Sequence, residues 1–263
     1  MPARGQGVTW IGNIPVLLTS AVRVSAQHTA LQDASERLRL TLESVALWRR
    51  TPGVSVVVLC DGSGVDLSAS VPPAKPGEAP VECLAFQNDV AAVRRQGKGH
   101  GEGQIVAYAL RHSLYLGEAR VWAKCTGKLW VQNFAECLAG FQGPASFDIR
   151  GFHRVRSVDS RFYLVESAFY DQHMAQAHEQ VDDDRGWYLE HCLLQALQAL
   201  PVQRYVMVPP PQVVGVSGSD GSLHAPGWHW RVLWQLRNRA WRLLGRHPVG
   251  ITRSGRRPGS PPA

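Results

Sequence analysis

Short apolar runs alternate with helix-like segments through the first half of the chain. Four of these runs predict β-strands, at residues 14–19, 54–60, 81–86 and 119–125. The run at 54–60 (VSVVVLC) is continuous and rich in β-branched residues, which is typical of a strand buried on both faces. Apolar residues at helical spacing predict a helix over 31–50, and 105–113 is a second helix-like segment. This order predicts an α/β fold with a mostly parallel central sheet flanked by helices.

The second half of the chain is less regular, with polar segments between the predicted elements. Strands are expected at residues 147–150, 161–165, 205–208 and 212–217, and helices at 167–179 and 187–200. Asp182-Asp183-Asp184 precede the last of these helices, where acidic residues favour capping and the helix dipole. A structural role therefore explains the acidic triplet without any ligand.

The C-terminal segment predicts a basic amphipathic helix. Between residues 228 and 246, Trp230, Leu233 and Trp234 fall near one face, while the arginines lie largely elsewhere. Such a helix suits an anionic membrane surface. Packing on the domain with the arginines in solvent also explains it, and contact with nucleic acid is a third alternative. We therefore divide the chain into a domain (1–226), this helix (227–250) and a Pro/Gly/Arg-rich tail (251–263) that is expected to be disordered.

The net charge of +7 comes from that C-terminal segment. Residues 227–263 hold eight of the 28 lysines and arginines and no acid, which leaves 20 basic against 21 acidic residues in 1–226. A near-neutral body argues against nucleic-acid binding, so no specific nucleic acid partner is expected. The five cysteines include no CxxC pair, which indicates neither a zinc site nor a disulfide framework. Without a signal-like leader or a membrane-length apolar run, the expected location is cytoplasmic or peripheral on the inner face of the membrane.

Two polar segments that follow predicted strands point to an anion site. Residues 97–104 (GKGHGEGQ) carry four glycines and are predicted as a loop before a helix, and 124–128 read KCTGK. Backbone N–H groups at a helix start, together with lysine side chains, suit a phosphate or diphosphate. A merely flexible glycine-rich loop is the alternative. Ligands on parallel sheets bind beyond the carboxyl ends of the strands. The binding candidates there are Thr19, Ser20, Asp61, Lys98, Gly99, Gly101, Glu102, Lys124, Thr126, Gly127 and Lys128.

Several segments, taken together, resemble a known family. They are ERLRLTLESV at 36–45, VVVLCDGSG at 56–64, GKGHGEG at 97–103, KCTGKLWVQNF at 124–134, DSRFY at 159–163, YLEH at 188–191 and VGVSGS at 214–219. The set resembles bacterial glycosyltransferase-like proteins of the nucleotide-diphospho-sugar transferase (GT-A) type, over roughly residues 14–220. The resemblance implies a GT-A-like (Rossmann-like) fold. It also implies transfer of a sugar from a nucleotide-sugar donor to a glycan or lipid-linked acceptor in surface polysaccharide synthesis.

One departure from the wider GT-A fold concerns the metal. Most such enzymes carry an Asp-x-Asp motif after the fourth strand, where this chain has KCTGK. Asp182 and Asp184 have the spacing but lie far downstream. No metal ligand is therefore assigned, and a divalent cation (Mn²⁺ or Mg²⁺) is left open without support from an Asp-x-Asp motif. Lysines would instead neutralise the leaving diphosphate.

The resemblance implies donor-binding roles, and each has a structural alternative. Thr19 and Ser20 lie where such folds hold the base or ribose, but strand ends are often polar. Asp61 either accepts a hydrogen bond from a ribose hydroxyl or forms an Asx turn. Lys98 contacts phosphate, and Glu102 positions a lysine or a sugar hydroxyl. Lys124 is costly to bury unpaired, so a ligand or a carboxylate partner is expected beside it, with Lys128 across the turn.

An inverting transfer needs a group that takes the proton of the acceptor hydroxyl. Glu190 is the first choice by analogy with the family, followed by His191 and Asp159, with Asp148 as a further candidate. The alternatives are a surface pair for Glu190 and His191, and an ion pair with Arg161 for Asp159. Trp130, Asn133 and Trp187 are candidates for an acceptor wall or for core packing.

Two other functions compete with the transferase. One is a non-catalytic nucleotide-sugar-fold protein that binds or scaffolds in envelope assembly. The other is an RNA-associated protein that acts through the arginine-rich tail. The sequence contains neither the GxxxxGK[ST] motif of P-loop NTPases nor the GxSxG motif of serine hydrolases, which argues against both classes.

Overall fold

The computed structural model describes residues 12–24, 30–151, 155–197, 205–217, 221–224 and 227–243. Its strands are β1 (Ile14–Ser20), β2 (Val54–Asp61), β3 (Val81–Ala85), β4 (Val121–Thr126), β5 (Leu129–Val131), β6 (Ala145–Arg150), β7 (Ser157–Glu166), β8 (Val213–Val216) and β9 (Leu223–His224). Its helices are α1 (Ala34–Trp48), α2 (Val90–Gln96), α3 (Lys98–His112), α4 (Phe134–Ala139), α5 (Ser167–His173), α6 (Leu189–Ala196) and α7 (Trp228–Leu243).

Six strands form the central sheet, in the order β3-β2-β1-β4-β7-β6. Strands β1, β2, β3 and β4 pair in parallel, whereas β7 runs antiparallel to both β4 and β6. The carboxyl ends of the four parallel strands therefore share one edge of the sheet with the first half of β7. The predicted α/β fold with a mostly parallel sheet is confirmed.

Successive side chains of a strand point to opposite faces of the sheet. The buried strands are apolar on both faces, so helices cover both. Val56 belongs to an apolar cluster that includes Ile105 of α3 and Leu193 of α6. Val57, the next residue, belongs to a second cluster with Trp48 of α1. All residues of β1 are buried, as expected of a strand covered on both faces.

The glycine-rich segment is helical, which corrects its prediction as a loop. α3 begins at Lys98, so Gly99, Gly101 and Gly103 lie inside the helix. The glycines serve close packing: a Cβ at Gly103 would lie 2.1 Å from the Cβ of His178. The segment is therefore built for close approach between elements, not as a loop that wraps a phosphate.

Other corrections concern the second half. The helix expected at 167–179 is interrupted, since α5 stops at His173 and a 3₁₀ turn follows at Ala177–Gln180. The helix expected from residue 187 is the shorter α6. Residues 205–208 form no strand, and Val206 makes only an isolated bridge to Phe147.

A small sheet and the C-terminal helix complete the described structure. β5, β8 and β9 form a three-stranded antiparallel sheet, and α7 follows it. The predicted C-terminal helix is present over Trp228–Leu243, while 244–250 and the tail at 251–263 lie outside the described residues. None of the described helices is long and apolar enough to cross a membrane.

Candidate functional site

A cavity of about 410 Å³ lies at the carboxyl edge of the parallel strands, which we call the edge cavity. The ends of β1 and β4, the first half of β7 and the N-terminal ends of α3 and α6 surround it. The sequence-predicted residues that line it are Thr19, Lys98, Gly99, Gly101, Glu102, Thr126, Lys128, Glu190 and His191. The structure thus brings together most of the predicted binding residues and two of the three predicted catalytic ones.

A buried polar network centred on Glu102 forms the floor of this cavity. The Oε1 atom of Glu102 accepts hydrogen bonds from the Oγ1 atoms of Thr19 (3.1 Å) and Thr126 (3.2 Å), and it pairs with the ammonium group of Lys124. That ammonium group also donates to the carbonyl oxygen of Ser160 at 2.7 Å. The network joins β1, β4, β7 and α3 at the point where the cavity opens.

Lys124 does not face the edge cavity, which corrects its assignment to phosphate. The side chain is 1% exposed, and Glu102, Thr126 and Ser160 accept its three hydrogen bonds. The carboxylate partner expected for a buried lysine is present, because burying an unpaired charge would be far more costly. Lys124 therefore holds Glu102 in place.

Lys128 and Arg37 supply positive charge to the edge cavity and form no ion pair with any described residue, although the charge of Asp61 acts on both and that of Glu102 acts on Lys128. Lys128 lies in the tight turn between β4 and β5, and its ammonium group makes no hydrogen bond to any described residue. Burial, and secondarily the charge of Arg37, lowers the pKa of Lys128 to about 8. The guanidinium of Arg37 is held by the carbonyl oxygens of Ala21 (2.7 Å) and Leu31 (3.0 Å). Two cations that repel each other are thus fixed at an open cavity.

Two helices direct their N-terminal ends at the cavity. The backbone N–H of Lys98 donates to Oδ2 of Asp183 at 3.1 Å, so a carboxylate of the chain already lies at the start of α3. Burial raises the pKa of Asp183, against the opposing effect of this hydrogen bond. Gly97, the N-cap, has φ 113°, and a Cβ there would lie 2.1 Å from Cγ of Asp183. Asp182 caps a 3₁₀ turn at Asp183–Arg185 and not, as was expected, the following helix, since the N-cap of α6 is Tyr188.

Three further predicted binding residues, besides Lys124, lie outside the cavity lining. Asp61 is fully buried: its Oδ2 accepts from the Val22 N–H (2.9 Å) and its Oδ1 from the Ser63 N–H (2.8 Å). The Asx-turn alternative therefore holds, and the ribose assignment of Asp61 is wrong. Gly127 allows close approach of two strands, because a Cβ there would lie 2.8 Å from the Thr19 carbonyl oxygen. Ser20 is also buried, and its hydroxyl has no partner among the described residues.

Asp159 is an ion-pair partner and not a base, which corrects its place among the catalytic candidates. Arg161 and Arg150 both bind its carboxylate, the latter at 3.2 Å. Burial alone raises the pKa of Asp159, but the hydrogen bonds and charges of the two arginines outweigh it and hold the pKa well below its usual range. A carboxylate of such low basicity is a poor proton acceptor.

Glu190 and His191 both line the edge cavity but have different capacities for proton transfer. Ser160 donates its hydroxyl to Oε1 of Glu190 at 2.8 Å, and Oε2 makes no hydrogen bond to any described residue. The Nδ1 atom of His191 accepts the backbone N–H of Tyr188 at 3.2 Å. Burial lowers the pKa of His191, so the ring is neutral with its proton on Nε2. Glu190 is thus the group with a free basic oxygen.

Other residues were missed or assigned differently by sequence reasoning. Those that line the cavity without having been predicted include Arg37, Arg150, Ser160, Asp183 and Tyr188. Arg37 carries a signal that could have been used, because it is an arginine on the inward side of an amphipathic helix. The three proposed acceptor-wall residues are structural: Trp130 donates to Thr51 Oγ1, Asn133 donates to Pro210 O, and Trp187 packs against the core.

The side chains at the edge cavity bear on whether a divalent cation could bind there. Among the described residues, no three carboxylate, histidine or cysteine side chains converge into a metal-binding group. Each acid at the cavity has one carboxylate oxygen engaged by a protein donor: Glu102 by Lys124, Asp183 by the Lys98 N–H, and Glu190 by Ser160. This set fits an anion held by cations better than a cation held by acids.

Comparison with known proteins gives no family. No family model matches the chain, and no curated protein matches it. Among solved structures, a mannosyltransferase from Pyrobaculum calidifontis with GDP-Man and Mn²⁺ aligns at 14% identity and a TM-score of 0.46, covering 95% of this chain and 67% of the other. An inositol-1-phosphate CTP transferase from T. maritima aligns at 10% identity and a TM-score of 0.44, covering 92% of this chain and 97% of the other. At these scores the likeness assigns no activity to this chain.

Proposed function

We propose that the protein is a glycosyltransferase whose edge cavity binds the diphosphate of a nucleotide-sugar donor. The observation that carries the proposal is the pair Lys128 and Arg37, two buried cations at the ends of parallel strands that form no ion pair with any described residue. Asp61 and Glu102 offset part of the cost of holding these like charges together, without a hydrogen bond to either, and an anion in the cavity would offset the rest. A diphosphate carries enough negative charge to offset both.

The proposed chemistry uses groups already placed around the cavity. Glu190 takes the proton from a hydroxyl group of the acceptor, and that oxygen forms a bond to the anomeric carbon of the donor sugar. The bond between this carbon and the diphosphate oxygen breaks, and the nucleoside diphosphate leaves with the electron pair. Lys128 and Arg37 stabilise the negative charge that develops on the leaving group. The acceptor is a glycan or a lipid-linked glycan.

The first experiment measures nucleotide binding by calorimetry and thermal shift. UDP, GDP, CMP and their common sugar conjugates are tested with and without Mn²⁺ or Mg²⁺. A ligand at 100 times its dissociation constant adds about 2.7 kcal/mol to the free energy of unfolding. Selective binding of one nucleoside diphosphate, followed by release of that nucleotide from its sugar conjugate, is the expected result. Binding without turnover would favour the scaffold alternative, and no binding by any nucleotide would overturn the proposal.

We also propose that α7 attaches the domain to an anionic membrane surface. The helix is packed on the domain through its polar side: Arg231 binds Gln212 at 2.9 Å, Arg237 binds Asp148 at 2.9 Å, and Asn238 donates to the Met207 carbonyl oxygen at 2.9 Å. The packed-helix alternative is therefore right about the packing and wrong about Arg231 and Arg237, which it expected in solvent.

The outward side of α7 is apolar, which supports that proposal. The large apolar residues exposed there are Trp228, Val232, Leu233, Leu236 and Leu243. An amphipathic helix normally buries such a stripe. Arg239 of α7 is also exposed, and the sequence 227–263 contains no acid. Apolar side chains flanked by tryptophan and arginine suit an anionic bilayer surface.

A further inference from the structure

A second cavity, of about 310 Å³, lies between α7 and the outer part of the sheet, and we call it the α7 cavity. Trp230 and Trp234 of α7 supply its aromatic lining, and Leu223 of β9 adds an aliphatic side chain. Its floor contains Asp148 of β6, together with Asp159 and Arg161 of β7. The α7 cavity therefore combines aromatic walls with a strongly polar floor.

The aromatic wall is held in position by contacts below it. The guanidinium carbon of Arg237 lies 5.6 Å from the centroid of the Trp234 ring, within the range of a cation–π contact. The same guanidinium donates to Oδ1 of Asp148 at 2.9 Å, and Asn238 is completely buried beside it. Arg237 therefore restricts the Trp234 side chain, which lowers the entropic cost of binding there.

The floor offers hydrogen-bonding groups of both kinds. The Oδ1 atom of Asp148 accepts hydrogen bonds from the Ile149 N–H and from Arg237, whereas its Oδ2 makes no hydrogen bond to any described residue. Arg161 holds Asp159 and also contacts the ring of His224 at 3.2 Å. Arg161 lines the edge cavity as well, so the two cavities meet at one side chain.

We propose that the α7 cavity binds a pyranose ring of the acceptor glycan. A pyranose has an apolar face of C–H groups, which fits the rings of Trp230 and Trp234, and an edge of hydroxyl groups, which fits Asp148 and Arg161. A purely apolar ligand would leave the charged floor desolvated without partners. The assignment to the acceptor rests on the proposed function, because Arg161 places this cavity beside the one assigned to the donor.

The test is saturation-transfer-difference NMR with methyl glycosides of glucose, galactose, mannose and N-acetylglucosamine as probes. At least one of them should receive saturation from the wild-type protein. Trp230→Ala should weaken its binding about tenfold, since the variant removes one of the two stacking surfaces. Trp228→Ala is the matched control: it makes the same change on the same helix, at a tryptophan that lines neither cavity.

Nucleotide binding by the same variants separates this proposal from the donor-site proposal. Trp230→Ala should bind the nucleoside diphosphate as the wild type does, because Trp230 does not line the edge cavity. No saturation transfer to any glycoside, or equal losses in Trp230→Ala and Trp228→Ala, would overturn the acceptor site even where nucleotide binds normally. Glycoside binding that depends on Trp230 without any nucleotide binding would retain the sugar site and overturn the donor site.

Discussion

At the scale of single residues, the ammonium group of Lys128 connects stability with binding. Its depressed pKa means that the folded protein holds a buried positive charge that the unfolded chain would solvate. Because no described residue offers this group a hydrogen bond, its removal breaks no hydrogen bond within the described structure and costs only its longer-range attraction to Glu102 and Asp61. A residue kept for stability alone would not be placed in this way.

Replacing Lys128 by Met should stabilise the free protein and weaken nucleotide binding. Loss of the buried charge should raise the free energy of unfolding by roughly 1–3 kcal/mol. Loss of a charge-assisted contact to phosphate should weaken nucleoside diphosphate binding by about tenfold or more. Thermal denaturation and calorimetry measure the two effects. Lys75→Met, the same change at an exposed lysine, should alter neither.

The Lys128→Met variant also tests whether Lys128 sets the pH dependence of nucleotide binding and stability. In the wild type, nucleotide affinity should fall as the pH rises through about 8, where Lys128 loses its proton. Between pH 8 and the ordinary lysine pKa, the unfolded chain binds more protons than the folded one, so the Lys128 contribution to the free energy of unfolding rises with pH. Both effects should disappear in Lys128→Met. A fall in affinity near pH 8 that persists in the variant would assign the titration to another group.

The sequence identified some single residues well and others poorly, for physical reasons. Lys128 could be predicted because a lysine just after a strand end must face either solvent or a ligand. A carboxylate partner for Lys124 could be expected from the cost of its burial, but the choice between that partner and a ligand depends on the fold, because Glu102 comes from α3. The contribution of Arg37 depends on carbonyl groups of Ala21 and Leu31, which no side-chain pattern reveals.

At the scale of secondary structure, α3 shows how packing overrides helix propensity. Glycine is among the poorest helix formers, which is why the segment 97–104 was predicted as a loop. In the fold, the absence of side chains lets the 3₁₀ turn at Ala177–Gln180 approach α3 at Gly103. The strands were easier to predict, because a continuous β-branched run such as 54–60 is typical of a strand buried on both faces of a sheet.

Gly103→Ala should therefore destabilise the protein although alanine favours helices. The added methyl group would meet the Cβ and Cγ atoms of His178 at 2.1 and 2.2 Å, and neither atom is the end of a flexible side chain. We expect a loss of about 1–3 kcal/mol in the free energy of unfolding by chemical denaturation. Gly117→Ala, where the nearest atom is 3.8 Å away, should change stability by less than about 0.5 kcal/mol. Equal effects at both positions would contradict the packing role.

At the scale of the whole molecule, α7 sets the relation between the domain and its surroundings. Its polar side contacts the domain, its apolar side is exposed, and the α7 cavity lies beneath it. Periodicity in the sequence showed that the helix is amphipathic but not which side faces inward. The inward side depends on Asp148 and on the Met207 carbonyl group, which come from distant parts of the chain.

The double variant Leu233→Gln/Leu236→Gln should reduce membrane binding. Co-sedimentation with phosphatidylglycerol-containing vesicles should weaken about tenfold or more, since two apolar side chains are lost from the interface. The wild type should bind neutral phosphatidylcholine vesicles less well, because the arginines contribute electrostatically. Leu114→Gln, at a leucine that is 78% exposed on another part of the surface, is the control. Binding of the double variant at the wild-type level would contradict the membrane proposal.

The position of Arg161 between the two cavities has a thermodynamic consequence. One guanidinium group holds Asp159, contacts His224 and borders both proposed ligand sites. If either ligand draws Arg161 toward itself, the other ligand meets a changed charge and a changed wall. By linkage, the factor by which the first ligand alters the affinity of the second must equal the factor in the reverse direction. Cooperativity between donor and acceptor would then be a property of one side chain.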